Sequence, residues 1–312
     1  MGSCARVGLP TRNPLEWFLV IGVDWGTSHV RAYRLTDEAT GAIVAQRDSS
    51  DGVLAVEPGR FPEVLRELVG PWIADGERRI LLSGTVGSRN GWRETRPVQC
   101  PVRLQDLARA VEPVPFDEAC VRIAPGVAGV DAYGVPEVMR GEEVEIVGAR
   151  ITAGCVCLPG SHSKWVRVED GAIISYATYL TGEAYAALRA HTLLAKLMGP
   201  EPPVAGPAFD AGVSRSAEGE GLLHHLFGVR TLGLAGRITP AESQSYLSGL
   251  LIGHEIRSAL TPRAAVTVVG APALVALYVR AIDACGGRAT PGPEQAAARG
   301  LAMIGAQVAW TD

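Results

Sequence analysis

The sequence lacks the charge pattern of a chain that binds nucleic acid. Its 312 residues contain 29 Lys and Arg against 33 Asp and Glu, a formal net charge of −4, and no run of five like charges. Binding to a polyanion is driven by basic side chains that displace counterions. No nucleic-acid partner is therefore expected.

No apolar stretch is long enough to cross a bilayer. Residues 264–279 carry no charge, but they fall short of the roughly 20 residues that a transmembrane helix needs. Gly270 and Pro272 also interrupt the segment, which predicts a strand, a turn and a helix. Residues 1–14 lack the apolar core of a signal peptide. We therefore expect a cytoplasmic protein with no membrane partner, and the sequence leaves open whether it forms a homo-oligomer.

Cysteine is scarce, with six residues in the whole chain. Six scattered cysteines do not make a disulfide framework, and Cys155 and Cys157 have no second Cys or His pair at metal-ligand spacing. We expect reduced thiols, with these two on one face of a core strand. His224, His225 and His254 also lack a third ligand at a recognisable spacing, which predicts surface or core histidines. The GxxxxGK[ST] and GxSxG motifs are absent, which argues against P-loop and α/β-hydrolase proteins.

What the sequence does contain is one pattern of strands and turns that occurs twice. An apolar run at 17–24 ends in Asp24, and a turn and two further strands follow it; the same order begins again at residue 151. Strands and helices alternate elsewhere in the chain. The pattern predicts an α/β protein with an N-terminal extension at 1–16 and two similar domains, at 17–149 and 150–312.

Helical spacing and strand patterns place the remaining elements. We expect a helix over 61–73, a strand at 80–83, a loop at 200–207, helices over 247–260 and 273–285, a strand at 265–269 and a final helix over 294–308. Thr181 is expected to cap a helix that runs to about Met198, with Glu183 in its first turn.

Both turns of the repeated pattern carry glycine and hydroxyl residues at the end of a strand. Glycine allows a backbone to approach a phosphate closely, and outward-pointing amides make an anion-binding concavity. Each turn alone could be a plain hairpin, but the matched pair favours two turns that hold the phosphates of one nucleotide from both sides. Asp24 is then placed to hold Mg²⁺, directly or through water. The residues concerned are Gly26, Thr27 and Ser28 in the first turn and Gly160, Ser161, His162 and Ser163 in the second.

Six segments of the chain, in order, resemble the signature segments of the 2-dehydro-3-deoxygalactonokinase family, which belongs to the actin and hexokinase ATPase superfamily. They are DWGTSHVRAYRL, GTVGSRNGW, VMRGEE, LPGSHSKWV, TGEAYAALRAHTLL and YLSGLLIGHE. The resemblance implies two ribonuclease-H-like domains with ATP and Mg²⁺ in the cleft between them. It also implies phosphorylation of a sugar acid, 2-dehydro-3-deoxy-D-galactonate, at its terminal 6-hydroxyl, in bacterial galactonate and galactose breakdown.

Further nucleotide contacts follow from this resemblance. VTVVGAP looks like the family's adenosine-binding turn, so the amides of Gly270 and Ala271 are expected at the ribose or α-phosphate. Ala271 stands where many relatives have a second glycine, which allows a less close approach. Lys164 adds positive charge beside the second turn, or is a solvated strand residue.

A keto acid substrate needs a guanidinium for its carboxylate and polar partners for its hydroxyls. A loop directly after the strand at 80–83 supplies such a set, Ser88, Arg89, Asn90 and Trp92. Alternatively, Arg89 and Trp92 stack on a surface loop. Arg140 is the second candidate for the carboxylate.

A sugar kinase usually needs a carboxylate beside the attacking hydroxyl as general base. Glu142 and Glu143 follow Arg140 and Gly141 directly, and neighbours on a helix point in different directions. Glu142 is the first candidate and Glu143 its alternate, because one of them can face the cleft while the other faces water. Glu183 is a third option.

Two other functions remain open on the sequence alone. One is a kinase of the same superfamily for another sugar acid or polyol. The other is a nucleotide-gated sugar-binding regulator that has lost the base. Arg89 and Arg140 favour an anionic acceptor over a neutral hexose.

Overall fold

The computed structural model of the protein describes residues 20–36, 41–261 and 263–310. The expected extension at 1–16, residues 17–19 of the first expected strand, and Cys4 lie outside the described residues. In chain order the strands are β1 (Val20–Trp25), β2 (Val30–Leu35), β3 (Ile43–Ser49), β4 (Arg79–Ser83), β5 (Val98–Gln99), β6 (Glu112–Val114), β7 (Cys120–Ile123), β8 (Val127–Val130), β9 (Pro136–Met139), β10 (Gly154–Leu158), β11 (Ser163–Glu169), β12 (Ala172–Tyr179), β13 (Ala265–Val268) and β14 (Arg288–Pro291).

The α-helices of the described chain lie between and after these strands. They are α1 (Phe61–Ala74), α2 (Leu104–Arg109), α3 (Glu142–Ala149), α4 (Thr181–His191), α5 (Pro207–Arg215), α6 (Gly221–Leu234), α7 (Pro240–Ala259), α8 (Pro272–Ala284) and α9 (Ala296–Gln307). Short 3₁₀ turns lie at Thr85–Gly87 and Leu193–Leu197.

Two sheets repeat one topology. The six-stranded sheet has the order β3-β2-β1-β4-β7-β6 and the five-stranded sheet the order β12-β11-β10-β13-β14. In each, three consecutive antiparallel strands form a meander, and the first strand of the meander pairs in parallel with the next strand of the sheet. This confirms the repeat that the sequence predicts. A three-stranded sheet, β5-β8-β9, lies beside β12.

The two sheets share a buried core. One apolar cluster includes Val20 and Leu81 from the first sheet and Val156 and Val166 from the second. Helix α1 covers the outer face of the first sheet, and α7 and α8 cover the outer face of the second. The lobes are therefore packed together beneath the strand ends that carry the turns.

Helix α9 packs on the first sheet although it ends the chain. A Cβ on Gly148 of α3 would lie 1.8 Å from the carbonyl oxygen of Ala296, and one on Gly300 would lie 1.9 Å from that of Val144. Only glycine allows α3 and α9 to approach this closely. Leu301 of α9 approaches β1 closely as well, because its Cβ lies 2.9 Å from a Cβ built on Gly22. The domain limits 17–149 and 150–312 remain a prediction. Helix α9 belongs to the second range but contacts the first sheet and α3.

Several expected elements differ from the observed ones. The helix that begins at Thr181 ends at His191 and not at Met198, because Thr192 is extended and a 3₁₀ turn follows. Leu180 is the N-cap residue, so Thr181 is not the cap. Helix α7 begins at Pro240, seven residues before the expected start, where Thr239 and Glu242 form a capping box. The segment 264–279 forms strand, turn and helix as predicted.

Candidate active site

The two glycine-containing turns line one cavity between the lobes. Its volume is about 230 Å³. Its lining residues come from both sheets and from the start of α3: Asp24, Gly26, Thr27, Gly84, Thr85, Arg140, Gly141, Glu142, Glu145, Leu158, Pro159, Gly160, Ser161 and His162. The spatial expectation drawn from the sequence, that the turns face each other across a shared crevice, is confirmed.

The first turn, between β1 and β2, is held in place from behind. The amide of Gly26 donates to the carbonyl of His29 at 2.9 Å, and the carbonyl of Gly26 accepts from the amide of Val53 at 3.0 Å. Gly52 permits this contact, because a Cβ there would lie 2.3 Å from the carbonyl carbon of Ser28. Gly26 and Thr27 line the cavity, whereas Ser28 is exposed and does not.

The second turn, between β10 and β11, rests on the start of α4. The amide of Glu183 donates to the carbonyl of Ser161 at 3.0 Å, and a Cβ on Gly182 would lie 2.3 Å from the carbonyl oxygen of Gly160. The Nε2 of His162 lies 2.5 Å from a carboxylate oxygen of Glu183. Glu183 therefore orients a histidine that lines the cavity.

Ser163 follows this turn but points away from the cavity. Its side chain is fully buried and its hydroxyl lies 2.8 Å from the hydroxyl of Tyr278. Tyr278 donates to Glu255 at 2.7 Å, and the indole of Trp165 donates to the same carboxylate at 2.8 Å. The structure does not support Ser163 as a phosphate donor, because its hydroxyl belongs to this buried network.

Burial raises the pKa of the Glu255 carboxyl, and hydrogen bonds from Thr181, Trp165, Tyr278 and Ser163 oppose that shift. One carboxylate on α7 thus joins β11, α4 and α8 beneath the second turn. The sequence offered no signal for this role, because the residues of the network are far apart along the chain.

Asp24 lies at the carboxyl end of β1 and is partly exposed to the cavity. In the register of the sheet, Asp24 lies opposite Arg31 on β2 and opposite Ser83 on β4. Burial raises the pKa of Asp24, the charge of Arg31 opposes the shift, and Glu142 adds to it. A cation beside Asp24 would relieve this repulsion.

Glu142 begins α3 and connects the lobes. One of its carboxylate oxygens lies 2.9 Å from the Nζ of Lys164 on β11, and the other accepts from the amide of Arg140 at 3.0 Å. The side chain of Lys164 is 3% exposed and also donates to the carbonyl of His162 at 2.7 Å. Lys164 is therefore not a solvated strand residue; its charge lies beside the second turn but is paired with Glu142.

Glu143 points into the protein and not toward water as expected. It is 1% exposed, and both carboxylate oxygens accept from the amide of Gly141, at 2.9 and 3.0 Å. Burial, followed by the charge of Glu142, raises the pKa of Glu143 to about 8. Unlike Glu142, Glu143 does not line the cavity.

Glu145 lines the cavity and was missed from the sequence. Burial, followed by the charges of Asp24 and Glu142, raises the pKa of Glu145 to about 8. It lies three residues after Glu142, and residues three apart share one face of a helix. This spacing could have identified it, whereas adjacency to Glu142 made Glu143 the alternate candidate.

Arg140 lines the cavity and is anchored from behind. Its Nη1 and Nη2 donate to the hydroxyl and the carbonyl of Thr95, at 2.7 and 2.8 Å. Burial lowers the pKa of Arg140, and the charges of Glu143 and Glu94 oppose the shift. A guanidinium has five N–H donors, so this anchoring leaves donors for an anion.

The loop expected to bind the acceptor lies beside the cavity but does not line it. The side chain of Arg89 is 86% exposed, 3.7 Å from Glu94, and Ser88 and Asn90 are likewise outside the cavity lining. Trp92 stacks on Phe61, with ring centroids 6.4 Å apart. Arg89 is therefore a surface residue, whereas Trp92 is partly buried against the apolar cluster of the first sheet. The role of both residues in binding stays a prediction.

The expected adenosine turn adjoins the second phosphate turn. Gly270 has a φ of 150°, and a Cβ there would lie 3.6 Å from the carbonyl oxygen of Pro159. Ala271 is the N-cap residue of α8, and both residues are exposed. The open start of a helix thus lies next to a cavity-lining residue.

The described residues hold no preformed metal cage. No group of three His, Cys, Asp or Glu among them is arranged to bind a metal ion. Mg²⁺ in phosphoryl-transfer enzymes needs no such cage, because one or two carboxylates, retained waters and substrate phosphates hold it. Asp24 fits that requirement. His225 lies buried between His254 and the carbonyl of Gly219, as expected of a core histidine.

Two further expectations concern cysteines and membranes. The five described cysteines are free, and Cys155 and Cys157 pack in the same apolar cluster, as predicted. Among the described helices, none combines the length and the apolar character needed to cross a bilayer.

A repeated meander topology, two lobes and paired turns on one cavity define a protein of the two-domain ribonuclease-H-like fold class. Comparison with known proteins narrows this class. Residues 24–304 match the family model described as 2-keto-3-deoxy-galactonokinase. The chain belongs to that family.

Individual relatives agree with this family. The chain is 34% identical to a protein of Rhizobium meliloti (strain 1021) described as a probable 2-dehydro-3-deoxygalactonokinase, over 85% of this chain and 89% of the relative. It is 30% identical to the 2-dehydro-3-deoxygalactonokinase of Escherichia coli (strain K12), over 85% and 90%.

Solved structures show the same fold. A crystal structure from Sinorhizobium meliloti, provisionally described as a 2-dehydro-3-deoxygalactonokinase, has a TM-score of 0.83 at 32% identity and covers 93% of this chain and 97% of that one. An activator of 2-hydroxyisocaproyl-CoA dehydratase from Clostridium difficile shares the fold alone, with a TM-score of 0.50 at 14% identity over 91% and 93% of the two chains.

Proposed function

We propose that this kinase transfers the γ-phosphoryl group of ATP to the terminal 6-hydroxyl of 2-dehydro-3-deoxy-D-galactonate. One observation carries the proposal: both glycine-containing turns line a single cavity that also contains Asp24 and Arg140. A phosphate-binding pair of turns and a cation for a carboxylate are what a kinase of a sugar acid requires. The names of the two curated relatives support the choice of acceptor.

The nucleotide phosphates bind between the turns. Gly26 and Thr27 contact them from the first lobe, and Gly160 and Ser161 contact them from the second. Backbone amides and the hydroxyls of Thr27 and Ser161 are the proposed donors, except the amide of Gly26, which already donates to the carbonyl of His29. Gly270 and Ala271, beside Pro159, receive the ribose or α-phosphate at the start of α8.

Asp24 holds Mg²⁺ directly or through water. The ion supplies positive charge to the transferred phosphoryl group when it is bound. Burial is the main cause of the raised pKa values of Asp24 and Glu145; the charge of Glu142 adds to the shift at Asp24, and the charges of Asp24 and Glu142 add to the shift at Glu145. A site with this charge attracts a divalent cation.

Arg140 binds the carboxylate of the acceptor. Thr95 fixes its guanidinium at the cavity wall, so little side-chain entropy is lost when the anion binds. This assignment makes Arg140 the primary carboxylate partner, and Arg89 a secondary one that would have to turn toward the cavity.

Glu142 is the proposed general base, with Glu143 excluded from direct contact by its burial. Phosphoryl transfer requires mainly that the hydroxyl be oriented in line and its proton accepted. Lys164 and the amide of Arg140 hold the Glu142 carboxylate in a fixed position at the cavity. A fixed carboxylate can orient the 6-hydroxyl.

The acceptor is tested by measuring ADP release with 2-dehydro-3-deoxygalactonate, glucose and glycerol, followed by NMR of the product to locate the phosphate. We expect high kcat/KM for the keto acid alone and a 6-phosphate product. A preference for glucose would contradict the role of Arg140, and nucleotide binding without turnover of any acceptor would contradict the enzymatic proposal.

A further inference from the structure

Helix α6 exposes an apolar face that the rest of the chain does not cover. Leu223, Phe227 and Leu234 are 84%, 62% and 62% exposed. Their spacing, with Arg230 between them, places all four on one side of the helix. The opposite side is buried, because Val229 packs in the cluster between α6 and α7. Exposed apolar side chains aligned in this way mark an interaction surface.

The charges around this face are divided between its two ends. Glu218 and Glu220 lie at the N-terminal end of α6, and Arg230 and Arg237 lie toward and just beyond its C-terminal end. Glu220 already contacts His224 at 3.1 Å and Arg215 at 3.7 Å, yet its side chain remains 67% exposed. The Nη1 of Arg230 donates to the carbonyl of Leu193 at 3.2 Å.

We propose that this face binds the same face of a second copy of the chain, with the two α6 helices antiparallel about a two-fold axis. The register follows from the spacing. A pairing that sets Leu223 against Leu234 of the second copy also sets Phe227 against Arg230, because both pairs are centred between Gly228 and Val229. A two-fold axis at this point also sets Glu220 of one copy against Arg237 of the other.

Each pair in this register is chemically complementary. Leucine meets leucine, the guanidinium of Arg230 meets the ring of Phe227, and a carboxylate meets a guanidinium at each end. A two-fold interface requires this kind of self-complementary patch, since each residue and its partner occur twice. A face without the charge division would not select its own copy over other apolar surfaces.

The apolar face extends beyond α6 but remains small. Leu193, 57% exposed, extends the apolar area next to Arg230. One pair of helices is a small surface compared with the roughly 1,200–2,000 Å² of stable complexes. We therefore expect a dimer that dissociates on dilution.

Sedimentation velocity of the full chain over a dilution series tests the proposal. The protein should sediment as a dimer at the highest concentration and as a monomer on dilution. Phe227→Arg should raise the dimer dissociation constant about a hundredfold, because each dimer would twice set a guanidinium at position 227 against that of Arg230. Val44→Asp on β3 is the matched control, since Val44 is 56% exposed on the other lobe, and it should leave the dissociation constant unchanged.

Charge reversal tests the register independently. Glu220→Arg and Arg237→Glu should each weaken the dimer about tenfold, and the double variant should restore it. Kinase activity and the circular dichroism spectrum should stay unchanged in all variants, which excludes unfolding. A wild-type chain that stays monomeric, a dimer insensitive to Phe227→Arg, or a double variant as weak as the single ones would each overturn the proposal.

Discussion

The ammonium group of Lys164 lies 2.9 Å from the carboxylate of Glu142 and joins the two lobes across the edge of the cavity. The pair is asymmetric, since Lys164 is 3% exposed and Glu142 is 25% exposed. It fixes the distance between the second turn and the start of α3. The lobes therefore carry a built-in connection at the site where the substrates must meet.

This asymmetry predicts unequal costs for breaking the pair. Glu142→Gln should lower the free energy of unfolding by about 3 kcal/mol, because it leaves a buried ammonium without its counter-charge. Lys164→Met should cost about 1 kcal/mol, because water can reach the Glu142 carboxylate. Urea unfolding of both single variants and the double variant measures this, and equal costs would show that the pair is not buried on the lysine side.

Asp24→Asn tests the metal-holding residue. We expect kcat to fall about a thousandfold, because the transferred phosphoryl group loses charge stabilisation worth about 4 kcal/mol. Thermal stability should be kept or increased, since the substitution removes a partly buried charge whose pKa is raised by burial. Steady-state kinetics with a magnesium titration provides the measurement. Near-normal turnover would show that Asp24 does not hold the metal ion.

The two arginines proposed for the acceptor carboxylate should behave differently. Arg140→Lys keeps the charge but loses the planar donor pair, and should raise the KM of the keto acid about tenfold or more with little change for ATP. Arg89→Ala should change the same KM less than about twofold, because Arg89 is a solvated side chain. If Arg89→Ala raised the KM of the keto acid more than Arg140→Lys did, the loop that carries Arg89 would contact the acceptor.

The buried carboxyl of Glu143 makes stability depend on pH. Its pKa is about 8 in the folded protein against 4.5 for the free group. Between these values the folded state binds more protons than the unfolded state, so this contribution to stability is full below about pH 4.5 and is lost as the pH rises to about 8.

Glu143→Gln removes this dependence. Relative to wild type, the variant should gain about 1 kcal/mol or more at pH 8 and little at pH 5. Thermal unfolding followed at both pH values measures the difference. A gain that is the same at pH 5 and pH 8 would show that Glu143 is ionised in the folded protein throughout this range.

The repeated meanders and the facing turns could be predicted because local signals specify them. An apolar strand with Gly26 directly after its end fixes the first hairpin at short range, and Gly160, two residues after the end of β10, does the same for the second. Helix α1 was also predicted correctly, from its apolar spacing. These elements depend on residues that are neighbours in the sequence.

The missed features depend on contacts between distant residues. Helix α6 is rich in leucine and glycine without a clear polar face, so its periodicity is weak, and α5 follows a proline-rich loop. The three-stranded sheet has strands of two to four residues, too short for an alternating pattern. Ser163 has the residue type of a phosphate ligand, and only the fold places Tyr278 beside it.

The most direct test of the account is the dissociation constant of ATP with Mg²⁺, measured by calorimetry for Gly26→Ala and Gly160→Ala. Added methyl groups meet nothing within 4 Å at Gly160 and only the carbonyl oxygen of His29, at 3.5 Å, at Gly26. Both variants should therefore fold. Because each methyl group would lie where we expect phosphate, each should raise the dissociation constant about tenfold or more.

Gly206→Ala serves as the control, since its added methyl group also meets open space and Gly206 lies away from the cavity. It should leave the dissociation constant unchanged. The account predicts weaker nucleotide binding in both turn variants. An unchanged dissociation constant in either one would contradict the claim that both lobes hold the triphosphate.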